Sequence, residues 1–228
     1  MTFATTNTSE LVTWLAGCLG PGDLSPVSSE DLEELAGHLT EDRYAGGTAI
    51  YHRDALPERV HILRSGAVEL TRDLGGWNAV VQLLRPGSVF GDVPLFLRTG
   101  EPTEATAVDD VVVLSIDSLT LFALLGRRPV LARRWLVSVA GRMAQMQDRV
   151  SDLLAGGLDR QVGSWLCREA NPEGVSVSQL TLARLLGARR TSVNQSLRRL
   201  EVAGFISTGY RRITVTDHDG LSEMLASR

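Results

Sequence analysis

Lysine is absent from this 228-residue chain, so all 23 of its basic residues are arginine. That absence excludes Schiff-base catalysis and the phosphate-gripping lysine of a Walker motif. Cysteine is nearly absent too. Cys18 and Cys167 lie far apart, and neither stands in a paired metal-ligand spacing. A reduced cytoplasmic protein with no metal and no disulfide is therefore expected. No apolar run approaches the ~20 residues needed to cross a bilayer, and no basic segment precedes a leucine-rich core at the N-terminus. Neither a membrane span nor a secretory signal is expected. Paired carboxylates in a cleft motif, a Ser/His/Asp arrangement and a metal-ligand cluster are all missing, so no catalytic residue is assigned and an enzyme is not expected.

What is present is a sharply local charge. The whole chain carries −4, yet residues 178–212 hold seven Arg and one Glu, a balance of +6 that leaves −10 for the remainder. The same stretch has a two-helix pattern. Ser178 is a good N-cap for a first helix with Leu182, Leu185 and Leu186 on its apolar side. Gly187 supplies a sharp turn, with the small Ala183 one turn earlier. Val193, Leu197 and Leu200 then recur at helical spacing and are expected in a core. The opposite face offers Arg190, Thr191, Asn194, Gln195 and Arg198 to bases or phosphates. Strand-like runs around Thr208-Gly209 follow, as in a winged module. A basic reading helix with a wing points to double-stranded DNA.

Upstream, residues 1 to about 40 read as two short helices separated by Pro21-Gly22 and Ser25-Pro26. From Arg43 to Leu114 short β runs alternate with turn signals, among them Val60–Leu63, Ala67–Leu70, Ala79–Leu84 and Val111–Leu114. This texture predicts a compact antiparallel roll or barrel. Pro129 then opens a helix about 39 Å long. Along it Ala132, Leu136, Val139, Met143, Met146, Val150 and Leu153 keep an unbroken a/d spacing. Packing on the chain's own roll would explain such a stripe. The strict heptad and its flanking charges favour a homodimer seam formed by Leu136, Val139, Met143, Met146, Val150 and Leu153. Gly156-Gly157 reads as a hinge, followed by a helix through Trp165 and Leu166 and a turn at Asn171–Gly174.

The order of roll, long helix, hinge and winged helix-turn-helix resembles the cyclic-AMP receptor protein and fumarate–nitrate regulator (Crp/Fnr) family of bacterial transcription factors. Two segments carry the resemblance: Arg85-Pro-Gly-Ser-Val-Phe-Gly-Asp-Val-Pro-Leu-Phe96, similar to the family's phosphate-binding cassette, and Leu182–Glu201, similar to its helix-turn-helix. The resemblance implies an α+β chain with three parts: a cyclic-nucleotide-binding-like, jelly-roll sensory domain over 1–128, a dimerisation helix over 129–155, and a winged helix-turn-helix over 156–228. It implies a homodimeric regulator on a pseudo-palindromic operator, with RNA polymerase as a further partner. The DNA-facing set is then Ser178, Arg189, Arg190, Thr191, Ser192, Asn194, Gln195, Arg198 and Arg211, with Arg190 reading guanine.

The implied effector set is Gly91, Asp92, Val93, Arg98, Thr103, Met146 and Gln147. Gly91 lets backbone N–H groups approach an anion, and Asp92 takes the place of a ribose-binding Glu. The pattern departs from cyclic-AMP-responsive members about ten residues later. An Arg followed by Ser or Thr is expected there, and this chain has Pro102 and Thr103. Proline brings neither charge nor N–H, so the strongest phosphate anchor is lost. Cyclic AMP is therefore argued against, and an effector other than cyclic AMP is expected. A cyclic nucleotide, including a cyclic dinucleotide, and a ligand-binding module acting through a protein partner stay open as alternatives. Iron–sulfur sensing lacks the cysteines it needs. Haem sensing would need an axial ligand such as His52 or His61, residues more ordinarily structural or exposed.

Overall fold

The computed structural model describes residues 8–19, 26–73, 78–170, 174–209 and 212–226. These fall into two compact units, Met1–Met143 and Ala144–Arg228. The first unit opens with α1 (Thr8–Cys18) and α2 (Ser29–Gly37), the latter capped by the Ser28 hydroxyl, which accepts from the Asp31 N–H. Then come β1 (Thr40–Tyr44), β2 (Ala49–Tyr51), β3 (Arg59–Ser65), β4 (Val68–Asp73), β5 (Asn78–Leu84) and β6 (Val89–Phe90). A single-turn helix α3 (Asp92–Leu97) interrupts the strands before β7 (Glu104–Ala107) and β8 (Val111–Asp117). α4 (Ser118–Arg127) and the 27-residue α5 (Pro129–Ala155) follow.

The strands make two antiparallel four-stranded sheets, β1-β8-β3-β6 and β2-β7-β4-β5, which form the expected roll. Strand periodicity explains why β3 is apolar along most of its length. Val60 and Ile62 point outward into a cluster with Leu15, Leu35, Leu121, Leu124, Leu131 and Trp135 from the helices. Leu63 points the other way, into the roll interior with Val68, Leu84, Phe90, Ala105 and Val113. Both faces of the strand are covered, so alternation of polar and apolar residues disappears.

α5 starts with Pro129 at the position where a missing N–H costs nothing. Leu131, Arg134, Trp135 and Ser138 are buried against the first unit, while Leu136, Met143, Met146 and Val150 are more than half exposed. Val139 is half-buried and packs on the helical cluster. Leu153 lies on the helix, but its side chain is outside what is described.

The second unit carries α6 (Leu158–Glu169), β9 (Val175–Ser176), α7 (Gln179–Leu185), α8 (Arg190–Val202), β10 (Ile206–Gly209), β11 (Arg212–Val215) and α9 (His218–Ala226). The wing sheet has the order β10-β11-β9. Its third strand and α9 were not foreseen from the sequence. The expected turn at Asn171–Gly174 lies outside the described residues apart from Gly174. Among the described residues, no helix is long and apolar enough to cross a membrane.

Candidate nucleic-acid interface and effector pocket

α7 and α8 are joined at a turn that only a residue tolerant of positive φ makes cheaply, and Gly187 sits there at φ 61°. The Ala188 N–H reaches back to the Ala183 carbonyl at 2.9 Å and closes the end of α7. At the start of α7 the Ser178 hydroxyl accepts from the Thr181 N–H at 3.0 Å. Leu182, Ala183 and Leu185 of α7 meet Val193, Leu197 and Leu200 of α8 in the buried seam that their spacing predicts.

Polar contacts hold α8 and the end of α7 from behind. Arg199 grips the Asp159 carboxylate of α6 with two bonds of 2.6 and 2.7 Å. This partnership lowers the Asp159 pKa and takes Arg199 out of the set able to reach a nucleic acid. Glu201 accepts from both the backbone N–H (2.7 Å) and the hydroxyl (2.8 Å) of Thr208, tying β10 to α8 and lowering its own pKa. Arg149 of α5 donates to the Leu185 carbonyl at 2.7 Å.

Of the other polar residues of α8, Ser196 is buried in the seam and several are turned outward. Arg189, Arg190, Thr191, Gln195 and Arg198 are exposed, whereas Ser192 and Asn194 are half-buried. Arg190 and Arg212 both line a cavity of about 420 Å³ with Ser178, Gln179 and Thr208. Arg211 lies outside the described residues.

In the first unit Gly91 adopts φ 80° just before α3, and Asp92 is buried to 2% exposure. One Asp92 oxygen accepts from the Trp135 indole N–H at 3.0 Å and from the Arg142 guanidinium at 2.5 Å. Arg142 also donates to the Val89 carbonyl at 2.9 Å. Thus Asp92 is bound to two α5 residues that sequence reasoning missed. Only the flanking charge at Arg142 hinted at a role, and no linear spacing connects positions 50 residues apart.

Nearby, His61, Tyr51 and Phe90 pack ring to ring at 5.1–6.1 Å. His61 Nδ1 lies 2.9 Å from the Ser115 hydroxyl, which donates to Asp42. Burial, reinforced by the Arg59 charge, pushes the imidazole down to about 4 and keeps it neutral. His52 is exposed and pairs with Glu104 at 3.1 Å. Among the described residues no cluster of three or more metal-ligating side chains occurs.

The other implied effector residues scatter. Val93 and Arg98 are exposed, and Arg98 ends α3 in a left-handed conformation at φ 55°. Thr103 is half-buried near Tyr51. Met146 and Gln147 are exposed on α5 and belong to the second unit. A residue absent from the sequence reading, Glu101, is 3% exposed and stands beside Gly91.

Residues 41–128 match the family model of the cyclic nucleotide-binding domain, and residues 160–224 match that of the Crp-like helix-turn-helix domain. Over 208 residues the chain is 36% identical to the HTH-type transcriptional regulator Cmr of Mycobacterium tuberculosis (strain CDC 1551 / Oshkosh), spanning 91% of this chain and 85% of that protein. The chain belongs to the Crp/Fnr family. As a Crp/Fnr member it is an effector-regulated, DNA-binding transcription regulator and not an enzyme. It is also 25% identical over 203 residues to the cyclic AMP receptor protein of Thermus thermophilus, covering 87% of this chain and 94% of that one. FixK2 from Bradyrhizobium japonicum shares the fold, with a TM-score of 0.76 at 23% identity over 83% of this chain and 98% of its own.

The residues that cyclic-AMP-responsive members use to hold the ligand are altered here. Asp92 is already engaged by Trp135 and Arg142, and the place of the phosphate-binding Arg is held by Pro102.

Proposed function

We propose that this Crp/Fnr regulator works as a homodimer on a pseudo-palindromic operator, with residues 1–128 sensing, 129–155 pairing and 156–228 reading DNA. The observation that carries this reading is the two-sided character of α8. Its rear is held by the apolar seam, Asp159 and Thr208, while Arg190, Thr191, Gln195 and Arg198 stand exposed on a rigid support. A helix so mounted enters the major groove, and two copies read half-sites about 34 Å apart.

Arg190 is assigned a bidentate contact to guanine and Gln195 a contact to adenine. Arg189, Thr191, Ser192, Asn194, Arg198 and the wing arginines 211 and 212 are assigned to phosphates, which supply affinity rather than sequence preference. The exposed Leu136, Met143, Met146 and Val150 support pairing of two α5 helices. Left in water, such an apolar stripe forgoes about 25 cal/mol per Å² that association recovers. DNA as ligand implies a cytoplasmic location, and RNA polymerase is the second partner we assign. An effector other than cyclic AMP would act by favouring one arrangement of the Gly156-Gly157 joint over another.

Selection on a randomised duplex tests the central assignment. Arg190→Ala should relax preference at one symmetric base-pair position, by about 1–3 kcal/mol, and leave the others intact. Equal weakening on every sequence would make Arg190 a phosphate contact instead.

A further inference from the structure

The space above Gly91 is where this family's cassette would receive a phosphate, and here it is walled by acceptors. A Cβ placed on Gly91 would meet the Arg59 carbonyl oxygen at 3.1 Å, His61 Cδ2 at 3.5 Å and Glu101 Oε1 at 3.7 Å. The Glu101 side chain is almost wholly buried, and the charge of Asp92 lies close to it. Its backbone is fixed on both sides: the Glu101 N–H donates to the Ala55 carbonyl at 2.9 Å, and the Asp54 N–H donates to the Glu101 carbonyl at 2.8 Å. The side chain is therefore anchored with its carboxylate beside the cradle. A buried carboxylate that stays ionised repels any further negative charge brought beside it.

The donors that could have offset this charge are used elsewhere. Arg142 is committed to Asp92 and the Val89 carbonyl. Arg59 pairs with Asp42 at 3.1 Å. His61 is neutral, and Pro102 has no N–H. A phosphate seated here would face carboxylate and carbonyl oxygens, with like charges meeting in a water-poor site.

We propose that Glu101 is a specificity-determining residue that bars anionic phosphate from the Gly91 cradle and reserves it for a ligand entering with an uncharged or cationic hydrogen-bond donor. This rests on the reading of the roll as the sensory part and concerns only what it admits. Burial and the Asp92 charge raise the carboxyl to about 7. The barrier is therefore strongest in mild alkali and falls in mild acid. The charged or titratable groups around it are Asp92 from α3, Arg142 from α5, Arg59 and His61 from β3, and Tyr51 from β2.

Calorimetric titration of the full chain with 3′,5′-cyclic AMP tests this, using the parent protein, Glu101→Gln, Pro102→Arg and the double variant at pH 8 and pH 6. At pH 8 Glu101→Gln should bind at least tenfold more tightly than the parent, and the double variant more tightly again. Pro102→Arg alone should gain little, because the neighbouring carboxylate neutralises its charge. The parent should improve toward pH 6, whereas Glu101→Gln should not. Parent binding within twofold of Glu101→Gln, or no binding by any variant that melts no lower than the parent, overturns the proposal. The sensory reading is judged separately, by whether Asp92→Asn in the full chain, with an unchanged melting curve, changes operator binding.

Discussion

Two buried titratable residues of the first unit, Glu101 and His61, are both held toward their neutral forms, and their effects on stability run in opposite directions. Glu101 is raised to about 7 by burial and then by the Asp92 charge, against an ordinary value near 4.5. The unfolded chain therefore gives up this proton first. The Glu101 contribution is complete below pH 4.5 and is lost as pH rises through 7. His61, lowered to about 4 from 6.5, contributes fully above pH 6.5 and loses that contribution as pH falls toward 4. Glu101→Gln should consequently melt roughly 2–4 °C above the parent at pH 8 for each kcal/mol recovered, and level with it at pH 4.5. An equal shift at both pH values, read by calorimetric melting, would trace the effect to shape and not to charge. Glu101 itself was not visible in one dimension. A Glu before a proline in a loop has many solvated counterparts, and only the fold brings it against Gly91.

Among the elements, α7 and α8 were the most legible, because their signals are local. Ser178, Gly187 and the apolar seam act over a few residues, so cap, turn and buried face can be read in order. Ser178 illustrates a limit of that reading. Its hydroxyl accepts from the Thr181 N–H and donates to the Thr181 hydroxyl at 2.9 Å, so helix capping occupies the group also nominated for DNA. Ser178→Ala should cost the second unit about 1 kcal/mol in denaturant unfolding, and Ser178→Asp should retain most of that stability. A Ser178→Ala protein as stable as the parent but weaker on DNA would return Ser178 to the phosphate contacts. β9 was missed because two residues, Val175 and Ser176, carry no measurable alternation and pair only once Ile213 and Arg212 lie beside them.

For the whole molecule, the heptad stripe of α5 is the feature with the largest consequence. One side of that helix is buried through Leu131, Trp135 and the half-covered Val139, so part of the repeat serves the chain's own core. Leu136, Met143, Met146 and Val150 remain exposed and define the expected partner surface. Met143→Glu with Met146→Glu should raise the dimer dissociation constant at least tenfold in sedimentation equilibrium, and weaken operator binding in parallel. Sedimentation unchanged by the two glutamates would move the pairing surface elsewhere. Localised charge also makes a global statement. With +6 concentrated in residues 178–212 of a chain that is otherwise acidic, DNA affinity should fall steeply with salt, by a log–log slope of about −0.9 per phosphate neutralised.

The linear chain by itself determined the roll, the long helix, the reading helix and its charge, because periodicity, caps and turns are encoded between near neighbours. It also named Asp92 and the missing guanidinium at Pro102. Tertiary structure alone decided that Asp92 is shared by Trp135 and Arg142, that Arg199 is spent on Asp159, and that Glu101 closes on Gly91. Those outcomes depend on how side chains from distant segments compete for the same charge once water is excluded, and burial sets the terms of that competition.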